Sequence, residues 1–261
     1  MRLAELKGFA LVIAFAPRGE DNVHRGGTLM LISLKTVDWP ELREDRDKSV
    51  VHSEPGAVVA KIGWHGREIL VGSVYVPAQP TPRLAFLQRM RKWVSEDMYL
   101  GGDWNCVPDK TIDVDSTNPL SYSNVGGTLL NTFMTDLGLV DERREQLGTE
   151  AEYTRSHDSV DSVGHITSTR IDIWFTPSNL DFLQSYSVDN SFIFKLKKSD
   201  HSAVSLTLDN QRGEMGHERK TINEELILRA DIQTAIKKIL DEEYVGNSLQ
   251  RKKWQRSMNR I

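Results

Sequence analysis

The sequence of 261 residues predicts an α/β fold in which helices cover a β-sheet. Two kinds of segment support this prediction. Short apolar stretches that are rich in β-branched residues and bounded by turn residues are typical of strands, whereas apolar residues every three or four positions are typical of amphipathic helices. The length suits either one large α/β or layered β domain with an extension, or two small domains, and it allows a substantial core.

Three early segments have the strand pattern, namely residues 27–35, 56–64 and 68–76. Only a short glycine-containing stretch separates the last two, so they are predicted to form a hairpin. The start of the chain contains an apolar run that Glu5 interrupts, and it lacks a clean cleavage site. This pattern indicates a strand or a buried helix rather than a signal peptide.

The hydrophobic period changes to that of a helix after the predicted hairpin. Thr81 is the predicted N-cap of this helix and Pro82 lies in its first turn. Its apolar stripe consists of Leu84, Leu87, Met90 and Val94. Residues 98–100 follow as a buried strand, and a second helix is predicted over residues 126–137, where Gly138 ends it.

Composition and charge limit the function classes. Hydrophobic residues make up 39% and charged residues 27% of the chain, which is ordinary for a globular protein, and no apolar run reaches the length of a membrane span. The single cysteine excludes a disulfide framework and fits an intracellular setting. The net charge of −4 argues against binding of nucleic acid by bulk charge, and it is compatible with an acidic pocket for a divalent cation.

The charge is uneven along the chain, which suggests a boundary near residue 209. Residues 210–261 hold 11 basic and 8 acidic side chains, so that residues 1–209 are the acidic part. A polar linker over residues 210–220 precedes a capping box of Thr221 and Glu224, which predicts a helix through about residue 244. The sequence therefore predicts a domain over residues 1–209 and a linker, helix and basic tail over residues 210–261.

Four polar clusters share one position, because each lies at the end of a predicted strand. They are Tyr75, Asp103 with Asn105, Asp172, and Asp200 with His201. In a layered sheet such ends can converge at one edge and form a site. Taken singly, each has another explanation: residues 101–105 fit a turn, Tyr75 fits a core residue and His201 fits a structural histidine.

Together these side chains suit phosphoryl hydrolysis. Carboxylates hold a hard cation such as Mg²⁺ through oxygen, and the cation offsets charge on phosphate oxygens. A histidine fixed by a carboxylate can act as a base or stabilise the pentacovalent state, and an asparagine can orient water or phosphate.

The motifs GGDWN, RIDIWF and SDHSAV, in that order, resemble those of the endonuclease/exonuclease/phosphatase superfamily over residues 20–208. Tyr75 in YVP matches a further position, which implies a contact with the phosphate. The resemblance implies a four-layered α/β sandwich, in which two mixed β-sheets are flanked by helices. Within the superfamily the chain is most similar to the endonuclease domain of non-LTR retrotransposon polyproteins, and residues after 210 resemble a connector to a reverse transcriptase domain.

The resemblance also implies a role for each remaining site residue. Asp103 would orient or activate the attacking water, with Asn105 beside it. His201 would act on the scissile phosphate while paired with Asp172. Asp200, together with Asp103, would ligate Mg²⁺ or Mn²⁺. Which group is the base stays open.

The sequence departs from the family pattern in two places. The family begins with a strand that bears an Asn and a strand that ends in Gln-Glu, whose Glu is the principal metal ligand, and neither motif is found here. Ala78 stands where the family has an Asn after YVP. We therefore expect a sandwich that lacks its first strands. We also expect the chain to nick DNA slowly or not at all in Mg²⁺, because the principal metal ligand is missing.

These patterns predict a divalent-metal-dependent phosphodiesterase that nicks DNA. The predicted location is intracellular, and a nuclear location stays open. Two alternatives remain open. A phosphatase of the same superfamily would have a CDR box where this chain has TRIDIW. A catalytically decayed fragment would survive as a binding module, and the missing Glu motif favours that reading.

Overall fold

The structure is a computed structural model, and it describes part of the chain: residues 2–6, 9–15, 27–33, 49–64, 67–118, 122–156, 167–178, 183–189, 200–208 and 234. The chain divides into two compact units, residues 1–211 and 212–261. Only Thr234 is described in the second unit. Apart from Thr234, the predicted linker, the helix from about 222 to 244 and the basic tail therefore lie outside the described residues.

Strands predominate over helices in the described residues. The strands in chain order are β1 (Arg2–Leu6), β2 (Phe9–Phe15), β3 (Gly27–Ser33), β4 (Val50–Glu54), β5 (Ala57–Trp64), β6 (Arg67–Tyr75), β7 (Met98–Asp103), β8 (Val114–Ser116), β9 (Leu139–Asp141), β10 (Arg155–Ser156), β11 (Thr167–Thr169), β12 (Asp172–Pro177), β13 (Leu183–Asp189) and β14 (Ala203–Leu208). The helices are α1 (Pro80–Met90), α2 (Gly127–Asp136) and α3 (Glu142–Leu147). No described helix is long and apolar enough to cross a membrane.

A six-stranded mixed sheet forms the centre of the fold, with the strand order β4-β5-β6-β7-β12-β9. The predicted hairpin is confirmed, because β5 and β6 pair in antiparallel register. β6 and β7 pair in parallel register, and α1 lies in the connection between them. Separate sheets join β1-β2-β3, β10-β11-β8 and β13-β14.

The central sheet is buried on both faces, as alternation along β5 illustrates. Ala57 and Val59 face a core that includes Phe86 of α1 and Phe133 of α2. The intervening residues Val58 and Ala60, with Ile62, face a second core made with β2 and β3. Burial of a Val or Ile side chain contributes about 1.5–3 kcal/mol, so both layers stabilise the sheet. This layering confirms the predicted α/β sandwich.

Helix α1 differs from the prediction at both ends. It begins at Pro80 after Gln79, so Thr81 lies inside the first turn and is not the N-cap. Pro80 starts the helix because its fixed φ suits the first helical positions and its missing N–H removes no helical hydrogen bond. The helix ends at Met90, and Val94 is buried beyond its last turn.

The other helix and the start of the chain agree more closely with the sequence patterns. α2 forms where it was predicted, and Gly138 follows it in the left-handed region at φ 65°. For the start of the chain, a strand and a buried helix were both open. It forms the antiparallel pair β1 and β2, and residues 10–14 of β2 are buried.

Candidate active site

Three of the predicted site residues lie side by side at the ends of three neighbouring strands in the central sheet, and this row of strand ends forms one edge of the sheet. Tyr75 at the end of β6 pairs in register with Asp103 at the end of β7. Asp103 in turn pairs in register with Asp172 at the start of β12. The polar residues converge because β6 and β7 are parallel and end together, whereas the antiparallel β12 begins at the same edge.

Trp104 fixes the chain directly beneath this edge. Its backbone N–H donates to the carbonyl of Ile171 at 2.8 Å, and its indole Nε1–H donates to the carbonyl of Ile173 at 3.0 Å. The ring is fully buried and meets Phe175 edge-on, with 5.0 Å between ring centroids. Cys106 is also fully buried, and burial raises the pKa of its thiol to about 12, which makes it an inert core residue.

Asn105 holds the carboxylate of Asp103 from one side. Its backbone N–H donates to Asp103 Oδ1 at 2.8 Å, and its Nδ2 donates to Asp103 Oδ2 at 3.0 Å. Nδ2 also donates to the carbonyl of Val76 at 2.8 Å. Asn105 adopts φ 50°, a left-handed conformation that asparagine tolerates better than most residues. The GGDWN motif therefore completes strand β7 at Asp103, and the chain bends at Asn105 directly after it.

His201 lies against Asp172, as the sequence predicts. Its Nδ1–H donates to Asp172 Oδ2 at 2.9 Å and to Oδ1 at 3.1 Å. Since a carboxylate only accepts, Nδ1 carries the proton in this contact, and Nε2 lies 3.9 Å from Asp200 Oδ1. The side chain of His201 is 28% exposed and that of Asp172 is 12% exposed, so the pair lies at the surface of the site.

Thr154 supports this pair and was not predicted from the sequence. Its hydroxyl donates to Asp172 Oδ2 at 2.8 Å and accepts the backbone N–H of Asp172 at 3.0 Å. The Thr154 carbonyl accepts the N–H of Ser202 at 2.6 Å, next to His201 in the chain. One fully buried threonine thus connects the segments that carry the two members of the pair.

Asp200 is paired with an arginine. Arg155 Nε donates to Asp200 Oδ2 at 2.8 Å, and the backbones of Arg155 and His201 form an isolated antiparallel bridge. Burial raises the pKa of Asp200, but the hydrogen bond and charge of Arg155 outweigh it, so the pKa lies below its ordinary value. Asp200 is thus a carboxylate with a counter-ion already beside it.

Burial and mutual repulsion set the protonation of the central groups. Burial, and next the negative charge of Asp172, raise the pKa of Asp103 from 3.8 to about 6. Burial lowers the pKa of His201, but its hydrogen bond to Asp172 and the nearby carboxylates outweigh this, so the net pKa is raised above 6.5. Near neutral pH the site therefore combines a carboxylate that can take up a proton with an imidazole that favours its charged form.

A buried charge network fixes the strand that carries Asp172. Arg170, fully buried, donates through Nε to Asp113 at 2.7 Å and through Nη2 to Asp141 at 2.6 Å. Arg144 also donates to Asp113. The RID motif therefore contributes a structural arginine two residues before its acidic site residue.

The predicted metal ligands, Asp103 and Asp200, fit a divalent cation in part. Their oxygens are the hard donors that Mg²⁺ prefers, and Mg²⁺ is often held by one or two carboxylates with waters and substrate phosphates. The repulsion that raises the pKa of Asp103 would be relieved by a cation beside it. No group of three or more His, Cys, Asp and Glu side chains in the described part of the chain could hold a metal ion.

Solved structures of DNA-processing enzymes share this fold. The endonuclease domain of TRAS1, a telomere-specific non-LTR retrotransposon, has a TM-score of 0.52 at 18% identity, over 79% of this chain and 81% of that chain. An AP endonuclease from Archaeoglobus fulgidus has a TM-score of 0.55 at 22% identity, over 78% and 80%. The 3'-5' exonuclease NExo from Neisseria meningitidis has a TM-score of 0.52 at 19% identity, over 78% and 80%.

No protein-family model matches the chain, and no curated protein matches its sequence. The likeness is thus one of structure. The chain has the fold of the endonuclease/exonuclease/phosphatase superfamily, which confirms at the level of the fold the resemblance that its motifs carry.

Proposed function

We propose that the chain is a phosphodiesterase that nicks DNA with the help of a divalent cation. One observation carries the proposal: Asp103, with a pKa of about 6, pairs in register with Asp172, and Asp172 accepts the hydrogen bond of His201. A base and an imidazole–carboxylate pair at one sheet edge are the groups that hydrolysis of a phosphate ester requires. The fold shared with nucleases supports the same class of reaction.

In this mechanism Asp103 accepts a proton from the attacking water. Its raised pKa makes Asp103 a stronger base than an ordinary carboxylate, and the two hydrogen bonds from Asn105 hold its oxygens in place. The water oxygen forms a new bond to phosphorus, and the bond from phosphorus to the leaving oxygen breaks. The leaving oxygen then takes a proton from solvent.

His201 and Tyr75 act on the phosphate. Asp172 favours the imidazolium form of His201, whose Nε2–H would donate to a phosphate oxygen as negative charge develops there. Burial, and next the charge of Asp103, raise the pKa of Tyr75, which keeps its hydroxyl protonated as a donor. A divalent cation held by Asp200 would offset the remaining charge on the phosphate oxygens while Asp103 acts as the base.

The proposed origin is a non-LTR retrotransposon. The order of the motifs GGDWN, RIDIWF and SDHSAV carries this part of the proposal, and the shared fold of the TRAS1 endonuclease domain is compatible with it. In this reading residues 1–209 are the endonuclease domain, and residues 210–261 connect it to a downstream reverse transcriptase domain.

Relaxation of supercoiled plasmid, measured in Mg²⁺ and in Mn²⁺, tests the activity. We expect the unmodified chain to nick the plasmid slowly, because the family's principal metal ligand is missing, and His201→Ala and Asp103→Asn to lower this initial rate about 10²–10⁴-fold, the usual contribution of acid–base groups. Asp109→Asn is the matched control, because Asp109 is exposed and bonds only its own loop at Thr111. Its rate should equal that of the unmodified chain.

Two results would overturn the proposal. Equal rates for the unmodified chain and for His201→Ala would support a decayed domain. Release of inorganic phosphate from a phosphomonoester, with the plasmid left supercoiled, would support a phosphatase.

A further inference from the structure

The segment before α2 is held against the segment that follows the GGDWN motif. The side-chain amide of Asn124 exchanges two hydrogen bonds with the backbone of Val107, since its Oδ1 accepts the Val107 N–H and its Nδ2 donates to the Val107 carbonyl, both at 2.9 Å. Lys110 Nζ donates to the carbonyl of Tyr122 at 2.8 Å. Val107 comes shortly after the site residues of the motif, so these contacts fix Tyr122 and Asn124 beside the candidate site.

Two cations bind this segment, and neither forms an ion pair within the described residues. The Lys110 ammonium bonds the neutral Tyr122 carbonyl and lies 5.8 Å from the centroid of the Tyr122 ring, within the range of a cation–π contact. The guanidinium of Arg83 is buried and bonds three backbone carbonyls, which are those of Pro77, Ala78 and Val125. Positive charge that no carboxylate offsets favours binding of an anion.

The hydroxyl of Tyr122 is a hydrogen-bond donor within electrostatic reach of the candidate site. Burial, and next the nearby Cys106, raise the pKa of Tyr122 to about 12, so the hydroxyl keeps its proton at neutral pH. The charges of Arg83, Arg155 and Asp103 also act on this pKa, and the last two belong to the candidate site. Tyr122 is only partly buried, so its protonated hydroxyl can donate to a ligand oxygen.

We propose that Lys110 and Tyr122 form a binding subsite for a backbone phosphate of DNA that flanks the phosphate to be cleaved. The ammonium supplies a point charge and the hydroxyl donates a hydrogen bond, as lysine and tyrosine commonly do to the phosphates of DNA. Arg83 adds positive potential through its charge, since its own donors are taken by carbonyls. The inference rests on the proposed function for the identity of the ligand, a phosphate of DNA.

Binding of DNA without cleavage tests the subsite on the full chain. The probe is a short fluorescein-labelled DNA duplex, and its anisotropy is followed in a chelating buffer at several salt concentrations. Lys110→Gln removes the charge but keeps an N–H donor for the Tyr122 carbonyl. We expect affinity for the duplex to fall about fivefold or more, and the slope of log affinity against log salt to fall in magnitude by about one, because one phosphate contact is lost.

Three further variants make the result specific. Lys92→Gln makes the same change at an exposed lysine between α1 and the start of β7, whereas Asp103 is at the end of β7, so affinity should stay unchanged. Lys110→Arg keeps the charge and should keep the salt slope. Tyr122→Phe keeps the ring and removes the hydroxyl. Its affinity should fall about threefold with the salt slope unchanged, because a neutral donor is lost.

Each outcome decides the inference separately from the proposed function. Equal affinity for the duplex in Lys110→Gln and Lys92→Gln would overturn the subsite, even if the plasmid is nicked. Displacement of the duplex by inorganic phosphate well beyond that by sulfate at the same ionic strength would identify free phosphate as the ligand and would also overturn it. If affinity and salt slope shift as expected and the plasmid is not nicked, the subsite stands and the proposed activity fails.

Discussion

Asp103 lies in surroundings that disfavour its own charge. It lies at the end of a buried strand, and Asp172 is its register partner on the next strand. Two hydrogen bonds from Asn105 offset part of the cost. The balance raises its pKa to about 6, and this shift makes the carboxyl a base while it lowers the stability of the fold at high pH.

The raised pKa predicts a specific pH dependence of stability. Because the folded state holds the proton of Asp103 more tightly than the unfolded state, the free energy of unfolding falls as pH rises from 3.8 to about 6. We expect this fall, relative to Asp103→Asn, in urea titrations with a chelator present. Relative to Asp109→Asn, the free energy of unfolding should instead rise with pH, since hydrogen bonds from Thr111 lower the pKa of Asp109. A constant difference between the unmodified chain and Asp103→Asn would contradict the raised pKa.

Thr154 provides a second prediction at this scale. Thr154→Val keeps the shape of the side chain but removes one of the two donors to Asp172 Oδ2 and the acceptor of the Asp172 backbone N–H, at a cost of about 1–3 kcal/mol in urea unfolding. The nicking rate should fall about 10–100-fold, because Asp172 no longer holds His201 in one orientation. Thr176→Val is the control, since Thr176 is equally buried and bonds Glu142 instead. Equal rates in the two variants would mean that Thr154 has only a structural role.

The sequence predicts the central residues of the site better than the residues that hold them in place. Asp103, Asp172 and His201 stand out because each polar side chain adjoins an apolar strand. Thr154 and Arg155 carry no such signal, because β10 has only two residues and no detectable period. Their contacts join parts of the chain 18 and 45 residues apart, which local patterns cannot reveal.

At the scale of elements, β7 shows why strand ends are hard to place from sequence. Taken singly, residues 101–105 also fit a turn, yet Gly101 and Gly102 both lie within the strand. A Cβ on Gly101 would come within 2.5 Å of the Trp174 ring. Steric demand between neighbouring strands, rather than a turn, accounts for the glycines. The predicted N-cap at Thr81 is wrong for another local reason, because Pro80 already starts the helix one residue earlier.

Gly102→Ala tests how closely the site depends on this strand. Gly102 has φ 154°, and a Cβ there would lie 1.8 Å from the carbonyl oxygen of Val74, so the pairing of β6 and β7 must shift. We expect a loss of more than about 3 kcal/mol in urea unfolding, with loss of nicking. Gly148→Ala, at φ 58° with no atom within 4 Å of the added Cβ, should cost only about 1–2 kcal/mol. Similar losses in the two variants would rule out the close approach of β6 and β7.

At the scale of the whole molecule, the candidate site and the basic tail lie in different parts of the chain. The candidate site lies in the acidic part, residues 1–209, whereas the last eleven residues carry five basic side chains and no acidic one. For the proposed function, attraction to DNA within the acidic part would then come from individual groups such as Arg155 and His201, or from a cation.

The final prediction concerns the boundary between these parts. Because a polar linker precedes the predicted helix over residues 222–244, we expect a chain of residues 1–209 to melt within a few degrees of the full chain in calorimetry. A chain of residues 1–199 is the control. It lacks β14, which pairs with β13, and it lacks His201, so it should lose many degrees. A large drop already at residue 209 would show that residues 210–261 complete the core.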